Sequence, residues 1–201
     1  MVNLHLYLVT DEALAGGRPL AGIVDRAVDG GVTCVQLRAK TATSRTLLAL
    51  AQELLALLRP RGVPLIVNDR LDIALAAGAD GVHVGQEDLP CDRVRRLVPP
   101  GFCVGVSVSN EAEARAAEAA GADYLGISPV FVTPTKRDTP PAAGLDGLRR
   151  IRAATRLPLV GIGGIHAGNC AAVRAAGADG IAVVSAIMAA DDPAAAARRL
   201  A

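Results

Sequence analysis

The chain contains no tryptophan and only two phenylalanines and two tyrosines, so it lacks the stacking platforms that single-stranded nucleic acid uses. It also lacks an excess of either charge: 21 basic and 20 acidic residues are interspersed and leave a net charge of +1. Without a basic face, no nucleic acid partner is expected. No apolar run approaches the roughly 20 residues of a membrane span, and the opening MVNLHLYLVTD has no basic leader. No membrane partner is expected either. The four cysteines (Cys34, Cys91, Cys103 and Cys170) form no C-x-x-C pair, and Cys34 and Cys103 fall in apolar strand-like runs. Buried, reduced thiols in a cytoplasmic protein are the expectation. Lysine is scarce too, with Lys40 and Lys136 the only two among the 21 basic residues. Either lysine is kept where a compact, mobile ammonium is needed, or two surface loops carry it by chance.

What the chain does have is apolar bulk. With 201 residues, 51% of them hydrophobic, it can bury a substantial core. One domain spanning residues 1–201 is expected, and a homo-oligomer is compatible with it.

The apolar residues fall into alternating strand and helix patterns. Leu4 to Val9 reads as a strand ended by Thr10 and Asp11, and Pro19 to Val28 as a helix stopped at Gly30-Gly31. Thr33 to Leu37 is a strand whose end carries Gln36, Arg38 and Lys40, alternating so that they share one side of extended backbone. Helices follow over Ser44 to Leu58, Leu71 to Ala77, Cys91 to Val98, Glu111 to Ala120, Leu145 to Ala154 and Asn169 to Ala176, with a last one from Asp192-Pro193. Between them lie strands at Pro64 to Val67, Gly81 to Gly85, Cys103 to Val108, Tyr124 to Ile127, Pro158 to Ile162 and Gly180 to Val184. Ala-Gly-Ala-Asp recurs at 77–80, 120–123 and 176–179, each time a helix-stop glycine leading into a strand. Eight such units predict an α/β fold, a closed (β/α)8 TIM barrel, with an open doubly wound sheet as the runner-up. No early G-x-G-x-x-G turn supports the latter.

In a barrel the chemistry sits at the carboxyl ends of the strands. Polar residues gather there: Gln36, Arg38 and Lys40, then Asn68 and Asp69, Asp88, Ser107, the loop from Thr133 to Lys136, Gly163-Gly164, and Ser185. Asp69 alone reads as a helix cap and Asp88 alone as a turn residue. As a pair on adjacent strand ends, about 5 Å apart and facing Arg38, Lys40 and Lys136, they suit a hard divalent cation such as Mg2+. The glycines after the seventh strand and Ser185 after the eighth sit where many barrels bind phosphate. The stretch from Ser128 to Gly144 has no periodicity, which in a compact domain marks a functional loop. His5 and His83 lie in apolar strand runs and read as packed side chains, and His166 as a helix-start cap; none is assigned chemistry. No Ser-His-Asp order or zinc-type cluster is evident.

VQLRAK (35–40), VNDR (67–70), GADGVHVGQEDLP (78–90), GVSVS (105–109), GADYLGISPVFVTPTK (121–136), GIGGI (161–165) and GADGIAVVSAI (177–187) together resemble thiamine phosphate synthases along nearly the whole chain. The resemblance implies a Mg2+-assisted transferase of thiamine biosynthesis. Its small-molecule substrates would be a hydroxymethylpyrimidine diphosphate and a thiazole phosphate, joined with loss of pyrophosphate. By the same resemblance, the stretch Gln36, Leu37, Arg38, Ala39 and Lys40, with Asn68, holds the pyrimidine diphosphate, and Asp69 and Asp88 hold the metal. Ser107, Lys136 and Arg38 are the catalytic set, with Ser107 and Lys136 on the leaving pyrophosphate. Thr133, Pro134 and Thr135, with Gly164, Val184 and Ser185, hold the thiazole phosphate. Two residues depart from the pattern: Ala39 stands where an acid is usual, and Asn110 where a histidine is common. The related thiazole tautomerases rely on a histidine near that point and typically lack the paired acids, so they are the alternative reading, with a non-catalytic phosphate-binding barrel as a third.

Overall fold

The repeated Ala-Gly-Ala-Asp segments show how each helix is turned back into the sheet. The glycines Gly78, Gly121 and Gly177 adopt φ of 70°, 89° and 110°, which ends the preceding helix. The aspartate two residues on then reaches sideways to the neighbouring strand. Asp80 accepts the Leu65 backbone N–H at 2.8 Å, Asp123 that of Val104 at 2.7 Å and Asp179 that of Leu159 at 2.8 Å. Each aspartate satisfies a donor at the start of a strand, where the sheet offers no partner.

The computed structural model describes residues 2–133 and 141–201. Eight strands alternate with helices: β1 (Leu6–Val9), β2 (Cys34–Leu37), β3 (Leu65–Asn68), β4 (Gly81–Val84), β5 (Cys103–Val108), β6 (Tyr124–Ile127), β7 (Leu159–Ile162) and β8 (Gly180–Val183). The helices are α1 (Leu20–Asp29), α2 (Ser44–Leu58), α3 (Leu71–Ala77), α4 (Cys91–Leu97), α5 (Glu111–Ala119), α6 (Gly144–Ala154), α7 (Cys170–Ala175), α8 (Ser185–Met188) and α9 (Pro193–Arg198). All strands pair in parallel in sequence order, and β8 pairs with β1, so the barrel closes. The predicted (β/α)8 architecture is therefore present, and the doubly wound alternative is not.

Burial divides by strand parity. The larger apolar layer lies between strands and helices, with Leu6, Leu8, Val35 and Leu37 facing outward into it. The opposite parity fills the barrel lumen with Tyr7, Val9, Cys34, Ile66, Cys103, Tyr124, Val160 and Ala182. All four cysteines are buried and free, as expected.

Several local expectations shift. A one-turn 3-10 segment, Arg59–Arg61, follows α2, because Pro60 cannot continue its ladder. The eighth unit ends in two short helices rather than one. The second, α9, lies so close to the end of α1 that a Cβ on Gly30 would stand 2.4 Å from the Ala194 carbonyl oxygen. His5 lies just ahead of β1 and is exposed, not packed. His166 does not cap α7: its Nδ1 accepts the Gly168 N–H at 3.1 Å within the turn before that helix.

Candidate active site

A cavity of about 880 Å³ opens at the carboxyl ends of the strands. Of the residues the sequence singled out, Gln36, Arg38, Lys40, Asn68, Asp69, Asp88, Ser107, Thr133, Gly164, Val184 and Ser185 line it together. Leu37 and Ala39 do not. Alternation along β2 sends Leu37 into the helix layer, and Ala39 packs against that same layer. Pro134, Thr135 and Lys136 lie outside the described residues.

One side of the mouth is charged. Asp69 follows β3 in a left-handed backbone conformation (φ 60°), the only non-glycine residue among those described to do so. Its N–H is tied to the His83 carbonyl at 2.8 Å. The helix-cap reading fails here, since α3 receives no side-chain cap bond. The strained geometry instead aims the carboxylate into the mouth, 3.6 Å from the Lys40 Nζ. Burial first, and the neighbouring Asp88 carboxylate second, push the Asp69 carboxyl above its ordinary range, with Lys40 opposing. Asp88 does act as a turn residue: its Oδ2 accepts the Gly85 N–H at 2.7 Å, which anchors the side chain beside Asp69. Among the described residues no three His, Cys, Asp or Glu side chains converge as a metal cage. Asp69 and Asp88 therefore offer a pair of carboxylates rather than a closed cage.

Arg38 is held by a residue that sequence reading passed over. Its Nη1 pairs with Asp11 Oδ2 at 2.9 Å, both side chains being about four-fifths buried, and its backbone N–H donates to the Thr10 hydroxyl at 2.9 Å. The β1 end thus positions the β2 end. The signal was the Thr10-Asp11 pair following the first strand, the one strand end given no role.

The floor is polar as well. Gln36 Nε2 donates to Tyr7 Oη at 2.9 Å, and Tyr7 and Tyr124 share a hydroxyl contact of 2.9 Å. Tyr124 Oη meets His83 Nδ1 at 2.9 Å, and His83 Nε2 meets Ser107 Oγ at 2.9 Å. Burial is the main cause holding both tyrosine hydroxyls well above their ordinary range, so they stay protonated. Strand parity was the signal for these residues: Asn68 pairs with His83, His83 with Gly105 and Gly105 with Tyr124, all facing the lumen.

The opposite side of the mouth is built from glycine. Gly163 and Gly164 have φ of 101° and 63°, and the loop after β6 lies directly on them, with the Phe131 N–H bound to the Gly163 carbonyl at 3.1 Å. A Cβ at Gly164 would meet Phe131 Cβ at 2.8 Å. Ser185 opens the one-turn α8, adjoining these turns in the cavity wall. Asn110, the second departure from the expected pattern, has a structural role, because its side chain accepts the Glu113 N–H at 3.0 Å and caps α5.

Fold and mouth together define a (β/α)8 barrel whose polar site, half charged and half glycine, lies at the carboxyl ends of the strands, as in barrel enzymes generally. A family model described as thiamine monophosphate synthase matches residues 6–187. The thiamine-phosphate synthase of Albidiferax ferrireducens is 59% identical over 98% of this chain and 90% of its own length. That of Syntrophomonas wolfei is 53% identical over 100% and 97%. A solved thiamine phosphate pyrophosphorylase from Pyrococcus furiosus superposes with a TM-score of 0.90 at 40% identity, covering 99% of this chain and 94% of that one. The 3-hexulose-6-phosphate synthase of Salmonella typhimurium, 22% identical with a TM-score of 0.75, shares the fold alone. This chain belongs to the thiamine monophosphate synthase family.

Proposed function

We propose that the chain is a cytoplasmic transferase, one catalytic domain throughout, that joins 4-amino-2-methyl-5-hydroxymethylpyrimidine diphosphate to 4-methyl-5-(2-hydroxyethyl)thiazole phosphate, giving thiamine phosphate and pyrophosphate. The observation that carries this reading is one continuous cavity of about 880 Å³ with cations and paired acids on one side and glycine turns on the other. That volume suits two ligands at once, and the two walls suit two different phosphate groups.

Gln36 and Asn68 hold the pyrimidine. Arg38, kept in place by Asp11, and Lys40 receive the diphosphate oxygens, and Ser107 and Lys136 donate to the leaving group. The turn at Gly163-Gly164, with Thr133, Pro134, Thr135, Val184 and Ser185, holds the thiazole phosphate. Asp69 and Asp88 fit Mg2+, which takes few protein carboxylates and fills its remaining positions with phosphate oxygens and water. A cation also relieves the like-charge crowding that lifts the Asp69 carboxyl. Bound there, the ion supplies positive charge to the diphosphate oxygens.

Cleavage of the C–O bond builds negative charge on pyrophosphate, and preplaced cations stabilise that charge most as it develops. The electron-rich aminopyrimidine supports the cationic methylene left behind, and the thiazole nitrogen traps it. No protein nucleophile is required. The thiazole phosphate side keeps that nitrogen within reach, which converts a bimolecular capture into a local one. The test is chromatographic: purified chain with both substrates and Mg2+ forms thiamine phosphate, and absence of product under those conditions refutes the reading.

A further inference from the structure

The lumen beneath the mouth holds a chain of polar groups of which the proposed chemistry uses only the two ends. Five side chains from five strands run in sequence, Gln36, Tyr7, Tyr124, His83 and Ser107, with every link 2.9 Å long. The strands make room for it at two glycines. A Cβ on Gly105 would stand 2.2 Å from Tyr124 Cζ, and one on Gly126 would stand 3.0 Å from His83 Cε1. The rings pack as well as bond, with His83 and Tyr124 centroids 5.4 Å apart and Tyr7 and Tyr124 6.1 Å apart.

Proton counting gives the chain a direction. An amide nitrogen only donates, so the Tyr7 oxygen accepts from Gln36 Nε2. If Tyr124 also donated to Tyr7, the buried Tyr7 proton would be left to the adjoining Cys34 sulfur, a far weaker acceptor than an oxygen or a ring nitrogen. The stronger oxygen and nitrogen acceptors of the chain are all used when Tyr7 donates to Tyr124, Tyr124 to His83 Nδ1, and His83 Nε2–H to Ser107 Oγ. The two ends are then fixed in opposite senses. Gln36 turns its carbonyl oxygen toward the cavity as an acceptor, and Ser107, having accepted from His83, turns its own hydrogen outward.

We propose that Tyr7, Tyr124 and His83 are positioning residues of a directional hydrogen-bond relay that makes the pyrimidine end of the site an acceptor and the leaving-group end a donor. This rests on the function proposed above. An acceptor at Gln36 matches the exocyclic amine of a 4-aminopyrimidine and rejects a 4-oxopyrimidine, which offers a carbonyl there. A donor at Ser107 matches an anionic diphosphate oxygen. One relay thus selects the base and prepares the site for the departing charge.

Selectivity is the readout, because a merely structural role would weaken both substrates alike. Wild type and Tyr7→Phe are compared on the 4-amino- and 4-oxopyrimidine diphosphates at saturating thiazole phosphate. Loss of the Tyr7 hydroxyl releases the Gln36 amide to rotate, since a half-turn exchanges its oxygen and nitrogen. The kcat/KM preference for the amino substrate is expected to fall about tenfold or more. Tyr124→Phe keeps the ring and is expected to lower kcat on the amino substrate. In a Ser107→Ala background that loss should vanish, because Ser107 is the end through which it acts. Should Tyr7→Phe not fold, the Tyr124→Phe and Ser107→Ala cycle decides alone. An unchanged amino preference in folded Tyr7→Phe, or additive effects in the cycle, overturns the relay. A wild type inactive on both pyrimidines would refute the proposed function instead.

Discussion

Replacing Asp11 with Asn removes one charge at a residue that lies outside the cavity and acts through Arg38. Asp11 does two things. Its Oδ1 accepts the Ala13 and Leu14 N–H groups at 3.1 and 3.2 Å, shaping the loop after β1, and its Oδ2 pairs with Arg38 at 2.9 Å. Asn retains an oxygen for the loop and loses the charge, so the substitution separates the two roles. The pair is shielded, with side-chain exposures of 21% for Arg38 and 16% for Asp11, so it belongs with charge-assisted bonds worth about 1.5–3 kcal/mol rather than with surface pairs worth under about 1. Released, the Arg38 side chain regains rotamer freedom, of which about 2 kcal/mol must be given up again to hold a diphosphate. The kcat/KM for the pyrimidine diphosphate should therefore fall about 10- to 150-fold, while thiazole phosphate KM changes little and the protein stays folded. The assay is steady-state pyrophosphate release at saturating thiazole phosphate. A folded Asp11→Asn protein within twofold of the parent would refute the claim that Asp11 positions Arg38.

Further outcomes follow from the same contacts. Asp69→Asn should abolish turnover but leave the melting temperature nearly unchanged, because Asn tolerates the φ of 60° found there; Asp69→Ala should also lose about 1 kcal/mol of stability, read by urea unfolding. Asp80→Ala, at the opposite end of the barrel, leaves the buried Leu65 N–H without its partner and should cost about 1–3 kcal/mol with kcat intact. Burial first, and the Asp123 carboxylate second, push the Cys103 thiol up to about 12. An unfolded thiol titrates near about 8.5, so the stabilisation is complete below that pH and is lost as pH rises toward the folded value. Urea midpoints should fall between pH 8 and pH 10, and less steeply in Cys103→Ala; equal slopes would contradict the assignment.

Much of this organisation is readable from sequence because it is local. The helix-stop glycines, the two-residue alternation of strands and the polar residues after each strand are short-range patterns, and they placed Asp69, Asp88, Ser107 and Ser185 around one mouth. The parts that escaped are relations between strands. Asp11 reads as loop chemistry until β1 and β2 pair and set it beside Arg38. His83 reads as a packed histidine because its neighbours Val82 and Val84 are apolar, and only the lumen reveals its bonds to Tyr124 and Ser107. Leu37 and Ala39, neighbours of three cavity residues in sequence, are carried away from the cavity by alternation.

In the function proposed above, this mouth stabilises a departing diphosphate with Asp69, Asp88 and the cations around them. Single-turnover pyrophosphate release tests it most directly, with the pyrimidine diphosphate and thiazole phosphate both bound and divalent cation either present or removed by excess chelator. Fast release is expected with Mg2+, and loss of that release on chelation or in Asp88→Asn. Release at the full rate in excess chelator would contradict it.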